Sequence, residues 1–247
     1  MKPVRLGMIG CGLISHAHGK AAAKSGGAIR FVSCASRRAD AASGWAATYG
    51  CESWHTDYRE MLRTEALDGV VIATWPTVHR EQIEATLDAG IPFILCEKAL
   101  VTSDADALAV WEAARKHGAS VIEGFMYRHH DVIKRADAIV RSGELGAIDS
   151  IHATFHMFDP ESTDANDPGR NWRQKPEAGG GVLHDFLCYP VDAANRFAGA
   201  LPVRVFASGA DSAKHGVTNR LYAQIDYANG AVASVASSRK ASFQQAL

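Results

Sequence analysis

A short apolar run that ends at a Gly-x-Gly turn constrains the fold of this chain more than any other feature. Residues 4–9 read Val-Arg-Leu-Gly-Met-Ile, and Gly10-Cys11-Gly12 follows them directly. Such a turn between a strand and a helix offers backbone N–H groups to an anion, as in the pyrophosphate sites of dinucleotide-binding domains. Ser15 replaces the third glycine of the usual pattern and is small enough for close helix–strand packing. The same turn also occurs in α/β proteins that bind no nucleotide.

The residues after the turn complete a strand–helix–strand unit. The alanine-rich segment 16–24 predicts a helix that ends at Gly26-Gly27, and residues 29–34 predict the second strand. This context favours nucleotide binding. We therefore assign the expected cofactor contacts of the turn to Gly10, Gly12, Leu13 and Ile14.

The end of the second strand bears on the choice of cofactor. An acidic residue at this place binds the ribose 2′-hydroxyl of NAD, whereas arginine accommodates the 2′-phosphate of NADP. Here Ser36, Arg37 and Arg38 follow the strand, and the first acid is Asp40. A hydroxyl and two guanidinium groups suit a phosphate, so the sequence predicts NADP, with NAD less favoured. Alternatively, the two arginines only open a solvated helix.

Strands and helices continue to alternate as far as residue 123, which predicts a parallel sheet with helices on both faces. In such sheets the ligand lies at the carboxyl ends of the strands. One buried strand, 69–73, is followed by Thr74 and Trp75, and the next, 91–96, by Glu97 and Lys98. Helix caps are expected at Asp57, Thr77 and Ser103. We predict a Rossmann domain over residues 1–125.

The pattern changes in residues 126–247, which predict an α+β domain on an open, mostly antiparallel sheet. A polar loop is expected at 159–170, and one helix punctuated by Pro190 is expected at 182–198. A hairpin signal, Ala228-Asn229-Gly230, joins the last two strands. The other expected elements are a helix at 131–142 and strands at 148–158, 203–208, 220–227 and 231–237.

Composition narrows the classes of partner. A net charge of −1 gives no reason to expect nucleic acid. No apolar stretch reaches the roughly 18 residues of a membrane helix. The five cysteines are scattered, and the residues before the first strand are too few for a signal peptide, so we expect reduced thiols and a cytoplasmic location. The pairs His16/His18 and His129/His130 have no metal-ligand partners at suitable spacing, so no metal is predicted and solvated or capping roles are expected.

Several motifs occur in a fixed order, and the series is more specific than any one of them. They are Gly10-Cys11-Gly12, Thr74-Trp75-Pro76-Thr77-Val78-His79, Glu97-Lys98, Glu123-Gly124-Phe125-Met126-Tyr127-Arg128, Asn171-Trp172-Arg173, and the run from Gly179-Gly180-Gly181 to Asp185 and Tyr189. The series resembles the glucose-fructose oxidoreductase / inositol dehydrogenase (Gfo/Idh/MocA) family. Tyr189 four residues after Asp185 is similar to the branch that holds NADP-dependent D-xylose dehydrogenase and dihydrodiol dehydrogenase.

The resemblance implies hydride transfer between a nicotinamide and a hydroxyl or carbonyl carbon, typically of a sugar or polyol. Lys98 and Tyr189 match the catalytic pair of the family, and Asp185 matches a substrate-side or supporting carboxylate. His79 and Trp75 are expected to border the nicotinamide, and Trp172 and Arg173 are expected to reach the same region. An open sheet face that often pairs with a second subunit implies a homo-oligomer.

The chemistry explains why these residue types are needed. Oxidation of an alcohol removes a proton from oxygen while hydride leaves carbon, and an unperturbed phenol, with a pKa of about 10, is a poor base at neutral pH. An ammonium within about 4–6 Å favours the phenolate form, which gives Lys98 its role beside Tyr189. Asp185 lies one turn before Tyr189, on the same side of a regular helix. Alternatively, Lys98 pairs with Glu97, Tyr189 only packs its helix, and Asp185 only orients its neighbours.

Three features depart from the family pattern. Ala99 replaces the proline after the lysine, which leaves the lysine turn more freedom. Leu187 replaces a glycine near the presumed sugar pocket, and the chain stops at Leu247, so we expect the second domain to be incomplete relative to the family and its sheet to end in an unpaired edge. These departures keep open a second hypothesis, a non-catalytic NADP-binding sensor or regulatory protein on the same fold.

Overall fold

The computed structural model describes residues 2–158 and 172–246 of the chain. The chain divides into two compact units, Met1–Gly124 and Phe125–Leu247. The polar loop expected at 159–170 and the predicted motif residue Asn171 lie outside the described residues.

The first unit is a doubly wound α/β domain. Its six-stranded sheet has the order β3-β2-β1-β4-β5-β6, and every adjacent pair is parallel. The strands are β1 Val4–Ile9, β2 Ile29–Ala35, β3 Ser53–His55, β4 Gly69–Ile72, β5 Phe93–Cys96 and β6 Ser120–Glu123. The helices are α1 Ser15–Ala23, α2 Ala39–Tyr49, α3 Tyr58–Thr64, α4 Pro76–Asp88 and α5 Asp104–His117. The Rossmann-type sheet expected from the alternating pattern is confirmed.

Apolar side chains on both faces of this sheet explain why helices cover both. On one face Ile72 and Ile94 pack with residues of α4 and α5, such as Ile83. On the other face Met8 packs in a cluster with Trp45 of α2. Trp45 is 2% exposed, and its ring centroid lies 4.6 Å from that of Tyr49, so this aromatic pair belongs to the core.

Two of the three expected helix caps are confirmed. The Asp57 carboxylate accepts a hydrogen bond from the Arg59 N–H at the start of α3. The Ser103 hydroxyl accepts one from the Asp106 N–H at the start of α5. The cap predicted at Thr77 is wrong, because α4 begins at Pro76 with Trp75 in the capping position. A proline suits the first helical position, since its fixed φ fits a helix and its missing N–H is not needed there.

The second unit packs helices on one face of a mixed sheet. The order is β11-β7-β10-β9-β8, with β7 and β10 parallel and the other pairs antiparallel. The strands are β7 Ser150–His156, β8 Pro202–Asp211, β9 Thr218–Tyr227, β10 Val232–Ser238 and β11 Gln244–Ala246. The helices are α6 Asp131–Ser142, α7 Val182–Asp185 and α8 Cys188–Ala198, with 3-10 helices at Met126–His129, Trp172–Gln174 and Pro176–Ala178. The predicted hairpin is confirmed as β9 and β10, whereas β11, which extends the sheet beyond β7, was not predicted.

The single helix expected at 182–198 is wrong, because the chain leaves helical geometry between α7 and α8. The N–H groups of Phe186 and Leu187 both donate to the Val182 carbonyl oxygen, which closes α7. Pro190 then falls in the first turn of α8, where its missing N–H costs no helical hydrogen bond. The proline thus belongs to the first turn of a second helix, which begins at Cys188, and Asp185 and Tyr189 lie on different helices.

Leu187, at this break, belongs to the core and not to a pocket wall. Its side chain is 4% exposed and packs in a cluster with Phe197 of α8, Ala153 of β7 and Ile225 of β9. The presumed place of the Leu187 side chain at a sugar pocket is therefore wrong. Its bulk fills the space between α8 and the sheet.

Candidate functional site

The Gly10-Cys11-Gly12 turn has the geometry that a pyrophosphate site requires. Gly10 has a φ of +95°, and a Cβ on it would lie 2.7 Å from the Ala73 carbonyl oxygen. Only glycine fits there, because β1 and β4 approach each other closely. A Cβ added at Gly12, by contrast, would meet no atom of the described chain within 4 Å. The space beside Gly12 can therefore admit a ligand close to the backbone.

The start of α1 supplies the donors. The carbonyls of Gly12, Leu13 and Ile14 accept the first hydrogen bonds of the helix, from the N–H groups three residues on. The N–H groups of these same residues precede the first helical turn, where donors have no intrahelical partner. Ser15 is fully buried, and its hydroxyl donates to the Gly12 carbonyl at 2.6 Å. The serine therefore packs where the usual glycine would and also ties the turn to the helix.

Ser36, Arg37 and Arg38 lie beside this turn, since the Gly10 N–H donates to the Ala35 carbonyl at the end of β2. The two arginines differ in their partners. The Arg38 guanidinium forms an ion pair with Asp40, which holds the pKa of that carboxyl below its usual range. The Arg37 guanidinium lies 5.2 Å from the centroid of the Trp75 ring. Arg37 and Trp75 thus form a stacked pair at the edge of the sheet.

The segment after β4 is held from within the domain. The Thr74 hydroxyl donates to Gln82 Oε1 at 2.6 Å. His79 is fully buried: Nδ1 lies 3.1 Å from both the Ala99 and Leu100 carbonyl oxygens, and Nε2 lies 3.2 Å from that of Thr74. Because protein encloses the ring, His79 does not reach a nicotinamide directly, contrary to what was expected from the sequence. The ring instead contacts the backbone that follows Lys98.

Burial lowers the pKa of His79, which keeps the ring neutral at neutral pH. A neutral imidazole carries one N–H. The ring therefore donates one hydrogen bond, either from Nδ1 toward the Ala99 and Leu100 carbonyls or from Nε2 toward the Thr74 carbonyl. His79 links the ends of two neighbouring strands.

The lysine turn at the end of β5 is fixed at both sides. Glu97 contacts His18 Nε2 at 2.8 Å through Oε1, and its Oε2 accepts from the Lys98 N–H at 3.3 Å. Beyond the lysine, the Leu100 N–H donates to Glu123 Oε1 at 2.8 Å. The Lys98–Ala99 peptide bond is cis. These contacts restrain the turn that the sequence left free for want of a proline at Ala99.

The histidine pairs take more specific places than expected. His18 was expected to be solvated or capping, but it lies half-buried against Glu97. His130 does cap α6, because its Nδ1 accepts from the Val132 N–H. Among the described residues, no group of three or more His, Cys, Asp or Glu side chains is arranged to bind a metal. Within the same residues, no helix has the length and apolar character to cross a membrane.

In the second unit, Asp185 is the centre of a buried ionic cluster. Asp185 is 1% exposed, and its Oδ2 lies 2.7 Å from Arg173 Nε and 3.0 Å from an Arg239 guanidinium nitrogen. Arg173 also lies over the Trp172 ring, at 4.8 Å from its centroid. Arg173 and Asp185, predicted as cofactor and catalytic residues, are therefore in contact with each other.

Tyr189 sits in an aromatic cluster of the same unit. Its ring centroid lies 5.7 Å from that of Phe125, 6.0 Å from Tyr127 and 5.4 Å from Phe155. The Tyr189 hydroxyl lies 3.6 Å from Met126 Sδ. The ring is thus oriented by packing on several sides.

The predicted site residues form two groups, one in each unit. The first holds Gly10, Gly12, Leu13, Ile14, Ser36, Arg37, Arg38, Thr74, Trp75, His79, Glu97 and Lys98, along the carboxyl edge of the parallel sheet. The second holds Trp172, Arg173, Asp185 and Tyr189. The pairing of the Lys98 ammonium with the Tyr189 phenol stays a prediction. Sequence reasoning missed His18, Glu123 and Arg239 as supporting residues; only Glu123 carried a signal, as the first residue of a recognised motif.

Two family models together match most of the chain. Residues 4–125 match the model described as "Oxidoreductase family, NAD-binding Rossmann fold". Residues 133–247 match the "GFO/IDH/MocA C-terminal domain".

Named relatives point the same way. The chain is 35% identical over 204 residues to D-xylose 1-dehydrogenase (NADP(+)) 2 of Haloferax volcanii, a match that covers 83% of this chain and 60% of that protein. It is 31% identical to a dTDP-3,4-didehydro-2,6-dideoxy-alpha-D-glucose 3-reductase of Actinomadura kijaniata, with 80% and 57% covered. The chain thus spans about 60% of the length of these relatives.

A solved structure of levoglucosan dehydrogenase in complex with NADH superposes with a TM-score of 0.88 at 26% identity, covering 97% of this chain and 68% of that one. A myo-inositol 2-dehydrogenase from Lactobacillus plantarum, 21% identical, shares the fold with a TM-score of 0.85.

Proposed function

This chain belongs to the Gfo/Idh/MocA oxidoreductase family, and from that premise we propose that it transfers a hydride between NADP and a hydroxyl or carbonyl carbon of a sugar or polyol. The observation that carries the proposal is the carboxyl edge of the parallel sheet. There the open turn at Gly12 follows β1, the Arg37 guanidinium follows the adjacent β2, and the Lys98 turn follows β5, which is separated from β1 only by β4. A dinucleotide bound across such an edge places its reactive ring beside the later strands.

The residues of this edge fit a dinucleotide. The space beside Gly12 and the N–H groups at the start of α1 suit two phosphates of the pyrophosphate. Arg37 suits the 2′-phosphate, since its side chain stacks on Trp75 and has no carboxylate among the contacts found in the described residues. One relative is named for NADP and another was solved with NADH, so we rest the preference for NADP on Arg37.

Lys98 and Tyr189 carry the proton chemistry in this proposal. When bound, the nicotinamide accepts the hydride of the substrate carbon. Tyr189 takes the hydroxyl proton, and the Lys98 ammonium favours the phenolate form and polarises the substrate oxygen. The aromatic cluster around Tyr189 fixes the direction of its phenol. Contacts to Glu97 and Glu123 limit the movement of the Lys98 backbone.

We propose small-molecule sugars or polyols as substrates, because the relatives are named for sugars. The net charge of −1 gives nucleic acid no attraction. The described cysteines are all free thiols, which suits a cytoplasmic protein. We also propose a homo-oligomer through the sheet face opposite α8, where Phe206 and Tyr222 are exposed.

The proposal is tested by steady-state kinetics with NADP and a panel of aldoses and polyols. Lys98→Met and Tyr189→Phe should each lower kcat by about 10²- to 10⁴-fold, the usual contribution of general acid–base groups. Lys116→Met on the exposed face of α5 and Tyr58→Phe at the start of α3 are matched controls, because neither residue belongs to the proposed site or to the proposed interface. Turnover that survives both active-site substitutions would contradict the assigned pair. NADP binding without turnover of any substrate would favour the sensor.

A further inference from the structure

Arg239 is a buried arginine that directly follows β10, and its guanidinium contacts the buried carboxylate of Asp185. The two residues are 54 positions apart in sequence. Arg239 is 4% exposed, and its guanidinium lies 3.0 Å from Asp185 Oδ2 and 5.2 Å from the centroid of the Phe186 ring. A long cationic side chain is rarely enclosed unless it is paired.

We propose that Arg239 is a positioning residue for Tyr189, and that Asp185 is a fixed anion that transmits this constraint. The proposal rests on the proposed function, because it gives Tyr189 its catalytic part. It assigns a role to Arg239 and takes Asp185 as the supporting carboxylate, one of the two roles that the resemblance implied for it.

The geometry connects Arg239 to Tyr189 by two routes. Asp185 is the last residue of α7, and Tyr189 is the second of α8. The arginine therefore holds one side of the break that sets the direction of α8. The second route is a stack: Arg239 lies over Phe186, Phe186 lies 5.1 Å from Phe155, and Phe155 lies 5.4 Å from Tyr189.

Charge makes Asp185 an anchor. Its Oδ2 accepts hydrogen bonds from the guanidinium groups of both Arg173 and Arg239, and the carboxylate is almost fully buried. Protonation of Asp185 would weaken both charge-assisted contacts and leave guanidinium charge inside the protein. A carboxylate held in this way orients the segments it joins.

The first test is kinetic. Arg239→Met removes the charge and keeps most of the volume, and it should lower kcat by roughly 10- to 100-fold, the effect expected of a misdirected reacting group. Arg239→Lys should recover part of the loss. Arg204→Met is the control, because Arg204 also pairs with an aspartate of this sheet, Asp226, but is exposed. Unchanged kcat in Arg239→Met would overturn the proposal while the proposed function stands.

A double-mutant cycle separates positioning from proton transfer. If Asp185 is an anchor, Asp185→Asn lowers kcat strongly in the wild-type protein and little more in Arg239→Met, and the shape of the pH–rate profile is kept in both. If Asp185 carries a proton, the loss from Asp185→Asn is the same in both backgrounds, or one limb of the profile disappears. Either of these results would overturn the proposal.

A spectroscopic readout does not depend on turnover. With ¹³C-labelled tyrosine, the ring resonance that Tyr189→Phe removes identifies Tyr189. This resonance should shift in Arg239→Met and Arg239→Lys and stay in place in Arg204→Met. A resonance unchanged in the Arg239 variants would reject the positioning role even if wild type turns over no sugar, whereas absent turnover with a shifted resonance would reject only the proposed function.

Discussion

Arg37 and Arg38 are neighbours in sequence, yet their surroundings give them different tasks. Asp40 neutralises Arg38, and the Arg37 guanidinium stacks on Trp75. An arginine already paired with a carboxylate offers less charge to a phosphate. Arg37 is therefore the residue we expect to read the 2′-phosphate, and Asp40 limits the help that Arg38 can give.

Substituting Arg37 by alanine should weaken NADP binding by about 10- to 100-fold, which corresponds to the roughly 1.5–3 kcal/mol of hydrogen bonds to a charged group. NAD binding should change little, because NAD has no 2′-phosphate. Calorimetric titration of both nucleotides measures the difference. Equal losses for NADP and NAD would rule out the phosphate role of Arg37.

His79 should make stability depend on pH on the acid side. Burial lowers its pKa in the folded state, while in the unfolded chain it is about 6.5. Below about 6.5 the unfolded state binds a proton that the folded state does not, so the free energy of unfolding falls with falling pH, by up to about 1.4 kcal/mol per pH unit, until the lower folded-state pKa is passed. Above that range the neutral ring contributes no slope.

Denaturant unfolding from about pH 7 to about pH 5 tests this expectation. His79→Gln should lose part of the slope, and His129→Gln, on an exposed ring, should keep it. If the free energy of unfolding has the same pH dependence in wild type and in His79→Gln, protonation of the His79 ring is not coupled to unfolding.

At the residue scale, sequence reasoning succeeded where parallel strands end and failed where distant segments meet. Arg37 and Lys98 could be placed because the carboxyl ends of parallel strands share one edge. The contacts of His18 with Glu97 and of Arg239 with Asp185 join residues 79 and 54 positions apart. Neither contact leaves a periodic or local signature, so no pattern could predict them.

At the element scale, the break between α7 and α8 places Asp185 and Tyr189 on different helices. The apolar pattern of 182–198 suits one helix, and a proline inside it marks a break without giving its place. The structure puts the break before Pro190 because Leu187 turns into the core and Asp185 into its ion pairs. The position of the break is therefore set by tertiary contacts, and the local sequence pattern does not show them.

Leu187→Ala should lower the free energy of unfolding by about 2–5 kcal/mol, the usual cost of truncating a buried leucine. Leu183→Ala, on the exposed side of α7, should cost less than about 0.5 kcal/mol beyond its helix preference. Guanidinium unfolding of both variants gives the comparison. A small loss for Leu187→Ala would mean that this side chain lines a pocket after all.

At the scale of the whole molecule, the outer face of the second sheet carries exposed aromatic side chains. Phe206 of β8 is 75% exposed, and Tyr222 of the neighbouring β9 is 49% exposed. Phe206 pairs with Gln224, which is two residues from Tyr222, so the two aromatic side chains lie on the same face of the sheet. Exposed apolar groups on a broad sheet favour association with a second copy. Which side chains share this face depends on how the strands pair, so the exposed aromatic residues could be assigned to it only once the strand register was known.

Phe206→Asp should shift the protein toward monomer, because a carboxylate in an apolar interface loses its hydration. Leu145→Asp, at an exposed position outside the sheet, should leave the mass unchanged. Light scattering coupled to gel filtration reports the masses. A wild-type protein that is monomeric at all concentrations would contradict the proposed oligomer.

The proposed hydride transfer can be followed with an isotope, because the hydrogen that leaves the sugar carbon must appear in the cofactor. The protein is incubated with NADP⁺ and D-xylose deuterated at C1, with other C1-deuterated aldoses alongside, and the reduced nucleotide is analysed by mass spectrometry. We expect deuterium in the reduced nicotinamide with the wild-type protein and its loss in Lys98→Met. Saturable NADP binding without label transfer from any of these sugars would contradict the proposed hydride transfer.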